Sequence, residues 1–267
     1  MKNKNLQKTV SLELLQILNI ILKKYGKKHT VKDFHLKIYS ERIIDSLDFV
    51  NFIASIEKKY KFKFKMTDIN EFQNDSDTLG RILAENKSDK SIRHNYHIVY
   101  SYIFNKLGVN SELNILEIGL GTNDPQLVSS MGPYGRPGAS LYAFAEYLPK
   151  ANIYGADVDE NILFESDRIT TSYVDQLDSK TFDQMSKNFS NVKYDLIIDD
   201  GLHSIGANFN TLLFALKNLK LGGWIVIEDI HIIENWKSID FILSSLNIYK
   251  TYIVKAENGY LYVIHKF

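Results

Sequence analysis

The chain has 267 residues, room for one large domain or two smaller ones of roughly 100–200 residues each, and 45% of them are apolar, enough to fill real cores. Lysine plus arginine equals aspartate plus glutamate at 32 each, so no global field points to nucleic acid or to an acidic membrane surface. Cysteine is absent, which excludes disulfides, thiolate zinc sites and cysteine nucleophiles. No apolar run approaches the roughly 18 residues of a membrane span and the Lys/Asn-rich start lacks the pattern of a signal peptide, so a soluble, cytoplasmic protein without a membrane span is expected.

From Val10 to Tyr25 apolar residues recur at helical spacing, lysines fill the last turn, and Gly26 ends the pattern. A second amphipathic helix starts near Ile44-Asp45-Ser46-Leu47 and runs to Tyr60, with Leu47, Val50, Ile53 and Ile56 as its inner stripe. Further helices are expected around Thr67 to Phe72 and from Thr78 to Asn86, which makes residues 1–86 a four-helix bundle. Ser46 stands at the entrance of the second helix, where it is either an N-cap or an exposed hydroxyl suited to a phosphodiester. This stretch, with Asp45-Ser46-Leu47, Asp48, Val50 and Glu57 to Phe62, resembles an acyl or peptidyl carrier protein. The resemblance implies 4'-phosphopantetheine on Ser46, attached by a phosphopantetheinyl transferase, and contacts with pathway enzymes. The lysines at 58, 59, 61, 63 and 65 depart from the acidic second helix usual in such domains.

Glu85 to Ser91 is polar without apolar period and reads as a linker. Ile92 to Phe104 reads as an aromatic helix, with His94, His97 and Tyr100 on one face in packing roles. Residues 87–267 then alternate strands and helices. Leu113 to Ile118 is a strand that runs into the turn Gly119-Leu120-Gly121, whose glycines let backbone approach a ligand. The third glycine of the dinucleotide fingerprint is replaced by Asp124, and Glu117 would repel a pyrophosphate but welcome a sulfonium or ammonium. With Asp157 at the end of the next strand, Asn152 to Asp157, placed to hold ribose hydroxyls, this set favours S-adenosylmethionine over NAD. The long loop Asn123 to Gly138 is expected to be a binding loop, with Arg136 facing an anionic group or forming a structural ion pair. A helix from Ala139 to Leu148, a strand from Arg168 to Tyr173 ending at Asp175-Gln176, and a helix from Lys180 to Phe189 follow.

The central stretch is Tyr194 to His203, an unbroken apolar strand that surfaces as Asp199-Asp200-Gly201-Leu202-His203. A helix from Ser204 to Leu219 leads to Trp224-Ile225-Val226-Ile227, which surfaces in the same way as Glu228-Asp229 and then His231. If these strands are neighbours, four carboxylates meet at one rim, and such crowding calls for a cation or a shared proton. Oxygen donors favour magnesium over calcium or manganese; helix capping and solvation are the plainer alternative. A helix from Asp240 to Leu246 and a hairpin, Tyr249 to Lys255 with Tyr260 to His265, close the chain.

Residues 88–267 resemble the metal-dependent macrocin and mycinamicin sugar O-methyltransferases. The likeness rests on Glu117-Ile118-Gly119-Leu120-Gly121, Gly138-Ala139-Ser140-Leu141, Ile153 to Asp157, Asp175-Gln176 with Asp178, Asp199-Asp200-Gly201 with His203, and Ile227-Glu228-Asp229. It implies a Rossmann-like class I methyltransferase domain, an α/β fold with a mainly parallel sheet and an antiparallel terminal hairpin. It further implies S-adenosylmethionine held by Glu117, Gly119, Gly121, Ser140, Asp157, Asp175, Gln176 and Asp199, and magnesium or manganese held by Asp200, Glu228 and Asp229, with His203 as general base. The expected reaction is O-methylation of a sugar or glycan of a surface polysaccharide or secondary metabolite. Two alternatives stand beside it: methylation of a substrate tethered to Ser46, and a non-catalytic carrier scaffold. A homo-oligomer is compatible with the sequence, which leaves the number of assembled chains open.

Overall fold

A computed structural model describes residues 66–267, with side chains from Asn74 onward, and residues Phe72–Phe267 form one compact unit. The helix Val10 to Tyr25, the helix entered at Ser46 and most of the expected bundle lie outside the described residues.

The first described element is one helix, α1 (Met66–Glu85), where two short ones were expected. Its Leu79, Ile82 and Leu83, at helical spacing, are buried in the core of the α/β unit. The second half of α1 therefore belongs to that unit. It ends in a Schellman turn: Lys87 adopts φ 67°, its N–H bonds to the Ala84 carbonyl, and Ser88 N bonds to the Leu83 carbonyl at 2.8 Å. The chain is thereby swung across the sheet's rim into α2 (Asp89–Ile92), capped by the Ser88 side chain. Asn95, at φ 51°, breaks the expected single aromatic helix before α3 (His97–Leu107). Tyr100, Ile103 and Phe104 on α3 are buried, with Tyr100 and Phe104 packing against Phe144 at ring-centroid distances of 5.6 and 5.4 Å.

The remaining elements are β1 (Asn114–Ile118), α4 (Ala139–Tyr147), β2 (Asn152–Asp157), β3 (Glu165–Ser166), β4 (Ile169–Tyr173), α5 (Ser179–Asn188), β5 (Tyr194–Asp199), α6 (Ile205–Asn218), β6 (Leu219–Ile230), α7 (Glu234–Ser245), β7 (Tyr249–Lys255) and β8 (Tyr260–Lys266). They build an eight-stranded mixed sheet in the order β3-β4-β2-β1-β5-β6-β8-β7. Strands β4, β2, β1, β5 and β6 run parallel, and the terminal hairpin enters antiparallel through β8 beside β6.

Side chains alternate between two cores, as strand geometry requires. Ile115, Leu196, Ile198 and Val226 face a core completed by α1, α3 and α4, whereas Leu116, Ile197, Ile225 and Ile227 face one completed by α5, α6 and α7. Burial on both faces explains the unbroken apolar runs of β5 and β6. From β1 the chain proceeds to β2 and β4 on one side and later to β5 and β6 on the other, so the topological switch point lies between β1 and β5. Two elements are longer than expected: β6 starts at Leu219, and α7 at Glu234, where Trp236 buries against the second core. Among the described residues no helix is long and apolar enough to cross a membrane.

Candidate functional site

At the switch point β1 opens into Gly119-Leu120-Gly121. Gly119 and Gly121 adopt φ 94° and 76°, and a Cβ on Gly119 would overlap the Asp200 carbonyl. Leu120 N donates to Asp157 Oδ2 at 2.7 Å and Asp159 N to Asp157 Oδ1 at 2.9 Å, so the turn is fastened to the tip of β2. Burial pushes the Asp157 carboxyl up, against the pull of those amides. The loop after the turn is ordered by its own backbone: Met131 N bonds to the Thr122 carbonyl, Gly138 N to that of Leu120, and Asn123 Nδ2 to those of Gly132 and Gly135. Among the described residues Arg136 pairs with no carboxylate; its guanidinium donates to Asn86 Oδ1 at 3.0 Å and lies 4.4 Å from the Tyr142 ring centre.

Asp199 and Asp200 point to opposite sides of their strand. Asp199 is fully buried and accepts from Gln176 Nε2 at 2.8 Å and Asn208 Nδ2 at 3.0 Å. Gln176 also donates to Thr211 and accepts from Leu202 N, which fixes the turn holding Asp200 and His203. Asp175 caps the next turn through Leu177 N at 2.8 Å. Gln176 and Asp199 are buried against the 200–203 turn, and Asp175 is half-buried next to Gln176.

Because Asp199 pairs with Ile227 in register, Asp200, just past β5, and Glu228, in β6, stand side by side. A residue with no part in the sequence reading stands between them. Lys90, from the stretch that read as a linker, is 2% exposed and places its ammonium 2.6 Å from Asp200 Oδ2, 2.8 Å from both Glu228 oxygens and 3.1 Å from Glu117 Oε1. Burial alone would push that ammonium down, but Asp200, Glu228 and Glu117 overcome it and hold it well above the usual lysine range, so it is charged. Ser140 Oγ donates to Glu117 Oε2 at 2.6 Å, and burial pushes the Glu117 carboxyl up. Burial and the Asp200 charge drive the Glu228 carboxyl well up, and Tyr100 adds a short hydrogen bond to it. Tyr96 donates to Asp229 Oδ1 at 2.5 Å, and His94 Nδ1 lies 3.6 Å from the same oxygen. The packing role expected of the His94–His97–Tyr100 face describes His97, against Gly80, and the buried Tyr100 ring, against Phe104 and Phe144, while the Tyr100 hydroxyl and His94 also reach the acidic rim. The sequence trace of this arrangement is the four-residue spacing of Tyr96 and Tyr100.

Of the three carboxylates expected to hold a metal, Glu228 is 1% exposed and turned inward, whereas Asp200 and Asp229 are 25% and 20% exposed and face the cleft. His203 Nε2 lies 3.9 Å from Asp200 Oδ1 and 3.7 Å from Asp229 Oδ2, and one ligand atom from each of these three residues falls within 4.8 Å of the others. His203 and Asp229 both hold left-handed backbone, φ 54° and 52°, a conformation that costs energy and is often kept where a side chain must be aimed. His231 is exposed and outside the cluster. Hard oxygen donors with one imidazole, in excess over a single internal cation, fit magnesium or manganese. Gly119, Gly121, Asp157, Ser140, Asp200 and His203 share one cleft of about 620 Å³ with Met131, Tyr134 and Arg136 of the loop.

No protein-family profile matches the chain. Over 159 residues it is 31% identical to the 8-demethyl-8-(2-methoxy-alpha-L-rhamnosyl)-tetracenomycin-C 3'-O-methyltransferase of Streptomyces olivaceus, which covers 57% of this chain and 36% of that protein. Over 124 residues it is 32% identical to the mycinamicin VI 2''-O-methyltransferase of Micromonospora griseorubida, covering 45% and 28%. It is also 32% identical over 125 residues to the demethylmacrocin O-methyltransferase of Streptomyces fradiae, covering 45% and 28%. The match thus spans well under half the length of these relatives. Among solved structures, MycE methyltransferase from the mycinamycin biosynthetic pathway, in complex with Mg and SAH, superposes with a TM-score of 0.56 at 22% identity, covering 70% of this chain and 54% of that one. The described unit therefore has the Rossmann-like fold of class I methyltransferases with a mixed sheet, and in sequence it resembles sugar O-methyltransferases.

Proposed function

We propose that the protein is an S-adenosylmethionine- and metal-dependent O-methyltransferase acting on a sugar hydroxyl. The observation that carries this reading is the sharing of one cleft by the glycine turn with Asp157 and by the Asp200–His203–Asp229 group. Gly119, Gly121 and Asp157, with Ser140 on the wall, would hold the donor, which supplies a methyl group from its sulfonium. Asp200 and Asp229 would hold magnesium, which when bound lowers the pKa of a nearby hydroxyl. The chain's own residues do the rest. His203 takes the hydroxyl proton at Nε2, being the side chain suited to proton transfer near neutral pH. Asp199 and Gln176 keep the 200–203 turn in place, and the loop with Met131 and Arg136 lines one wall of the cleft.

The relatives named above support a sugar acceptor of the secondary-metabolite kind, and a surface-polysaccharide sugar is the other acceptor class to be tried. Candidate rhamnosides and other vicinal-diol sugars, incubated with the full chain and donor, should be methylated with magnesium present and not in EDTA, as read by mass spectrometry. Asp200→Ala should lower turnover by about 100-fold or more while S-adenosylhomocysteine affinity changes less than about threefold. Full activity of that variant under chelation would sink the metal role.

The carrier reading of residues 1–86 rests on Asp45-Ser46-Leu47. On that reading a phosphopantetheinyl transferase loads Ser46, and the arm recruits the substrate or bears it. Intact mass after treatment with such an enzyme and coenzyme A tests it: no pantetheine adduct, or an adduct retained by Ser46→Ala, would remove it.

A further inference from the structure

Lys90 is the buried lysine of the described residues, and its surroundings are those of a bound cation. Three carboxylates from the ends of three adjacent strands, Glu117 on β1, Asp200 after β5 and Glu228 on β6, converge on one ammonium at 2.6 to 3.1 Å. Lys90 Nζ donates to Asp200 Oδ2 and to both Glu228 oxygens, and Glu117 Oε1 completes the ring of charge as an ion-pair contact at 3.1 Å. The Schellman turn at Lys87 and the Ser88 cap of α2 aim the side chain inward, so its placement is built into the fold and not left to a surface rotamer. Glu228 is satisfied on this inner side by Lys90 and Tyr100 together. Asp200 is divided: Oδ2 accepts from Lys90, while Oδ1 turns toward His203 and the open cleft. Drawing Lys90 out would leave buried carboxylates without a counter-charge, which is far costlier than leaving the pair intact.

We propose that Lys90 is a resident counter-cation that fills the inner lobe of the acidic site, withholds Glu228 from a divalent ion, and confines that ion to the outer lobe of Asp200 and Asp229 beside His203. Lys90 is thus a positioning residue that sets metal affinity. The inference rests on the metal-dependent reading above, but it concerns which carboxylates are free.

The test is Mn²⁺ binding by calorimetry and electron paramagnetic resonance on the full chain. Lys90→Met should free Glu228 as an added ligand and tighten Mn²⁺ by about tenfold or more, since affinity follows the number of charged ligands. Lys90→Arg, which keeps the charge, should stay near wild type, and Lys90→Met with Glu228→Gln should lose the gain. The melting temperature of Lys90→Met should lie below wild type without metal and rise more steeply with Mn²⁺. Should Lys90→Met fail to fold, single variants decide: Glu228→Gln should leave Mn²⁺ affinity within about threefold, and Asp229→Asn should weaken it by about tenfold or more. A folded Lys90→Met that binds Mn²⁺ no tighter than wild type overturns the proposal, as does a Glu228→Gln loss equal to that of Asp229→Asn. Absence of Mn²⁺ binding in every variant overturns it together with the metal half of the proposed function. S-adenosylhomocysteine binding, measured in parallel, reports separately on the donor half.

Discussion

His203 is held in left-handed backbone by a turn that Gln176 clamps through Leu202 N. A side chain so aimed serves either as a proton acceptor or as a metal ligand, and one variant separates the two. His203→Gln should lower kcat by about 100- to 10,000-fold with Mn²⁺ affinity changed less than about threefold, if proton removal is its work. A parallel loss of Mn²⁺ binding would make it a ligand instead. The same turn shows what residue identity leaves open. Asp199 and Asp200 are chemically alike, but strand alternation sends one into the Asn208–Gln176–Thr211 network and the other to the cleft. Their roles differ because α6 and the segment after β4 pack against one side of the strand end and the cleft opens on the other.

At the scale of elements, the glycine turn after β1 was legible because its backbone requirement is local. Gly119 meets the Asp200 carbonyl and has φ 94°, so Gly119→Ala should cost about 1–3 kcal/mol in a denaturant titration and weaken S-adenosylhomocysteine binding by about tenfold or more. Gly121→Ala should be milder, because its neighbour is the flexible Met131 side chain, which is able to swing away. Wild-type binding by Gly119→Ala would show that the turn does not approach the donor. The short helix α2 was not legible. Four residues carry no periodicity, and a buried lysine in a polar run looks like a solvated one.

For the whole molecule, the unit's core extends further toward the N-terminus than the polar stretch Glu85 to Ser91 suggested. Leu79, Ile82 and Leu83 pack with Tyr100, Phe104 and Phe144, so a chain shortened to begin at Ser88 loses three buried side chains. At about 1.5–3 kcal/mol each, that loss is comparable with the ~5–15 kcal/mol that separates a folded domain from its unfolded state. Such a chain should melt well below one beginning at Phe72, by circular dichroism; equal melting temperatures would contradict the role given to α1. What the sequence determined by itself were the strands β1, β2, β5, β6 and the closing hairpin, the acidic strand ends and the glycine turn, since each is written in a short apolar run bounded by turn residues or in backbone demands confined to a few residues. Tertiary structure alone decided which carboxylates face the cleft, that Lys90 and Tyr100 claim Glu228, and that α1 closes the core. Those outcomes depend on side chains brought together across as many as 138 positions of chain, and no local spacing encodes such a meeting.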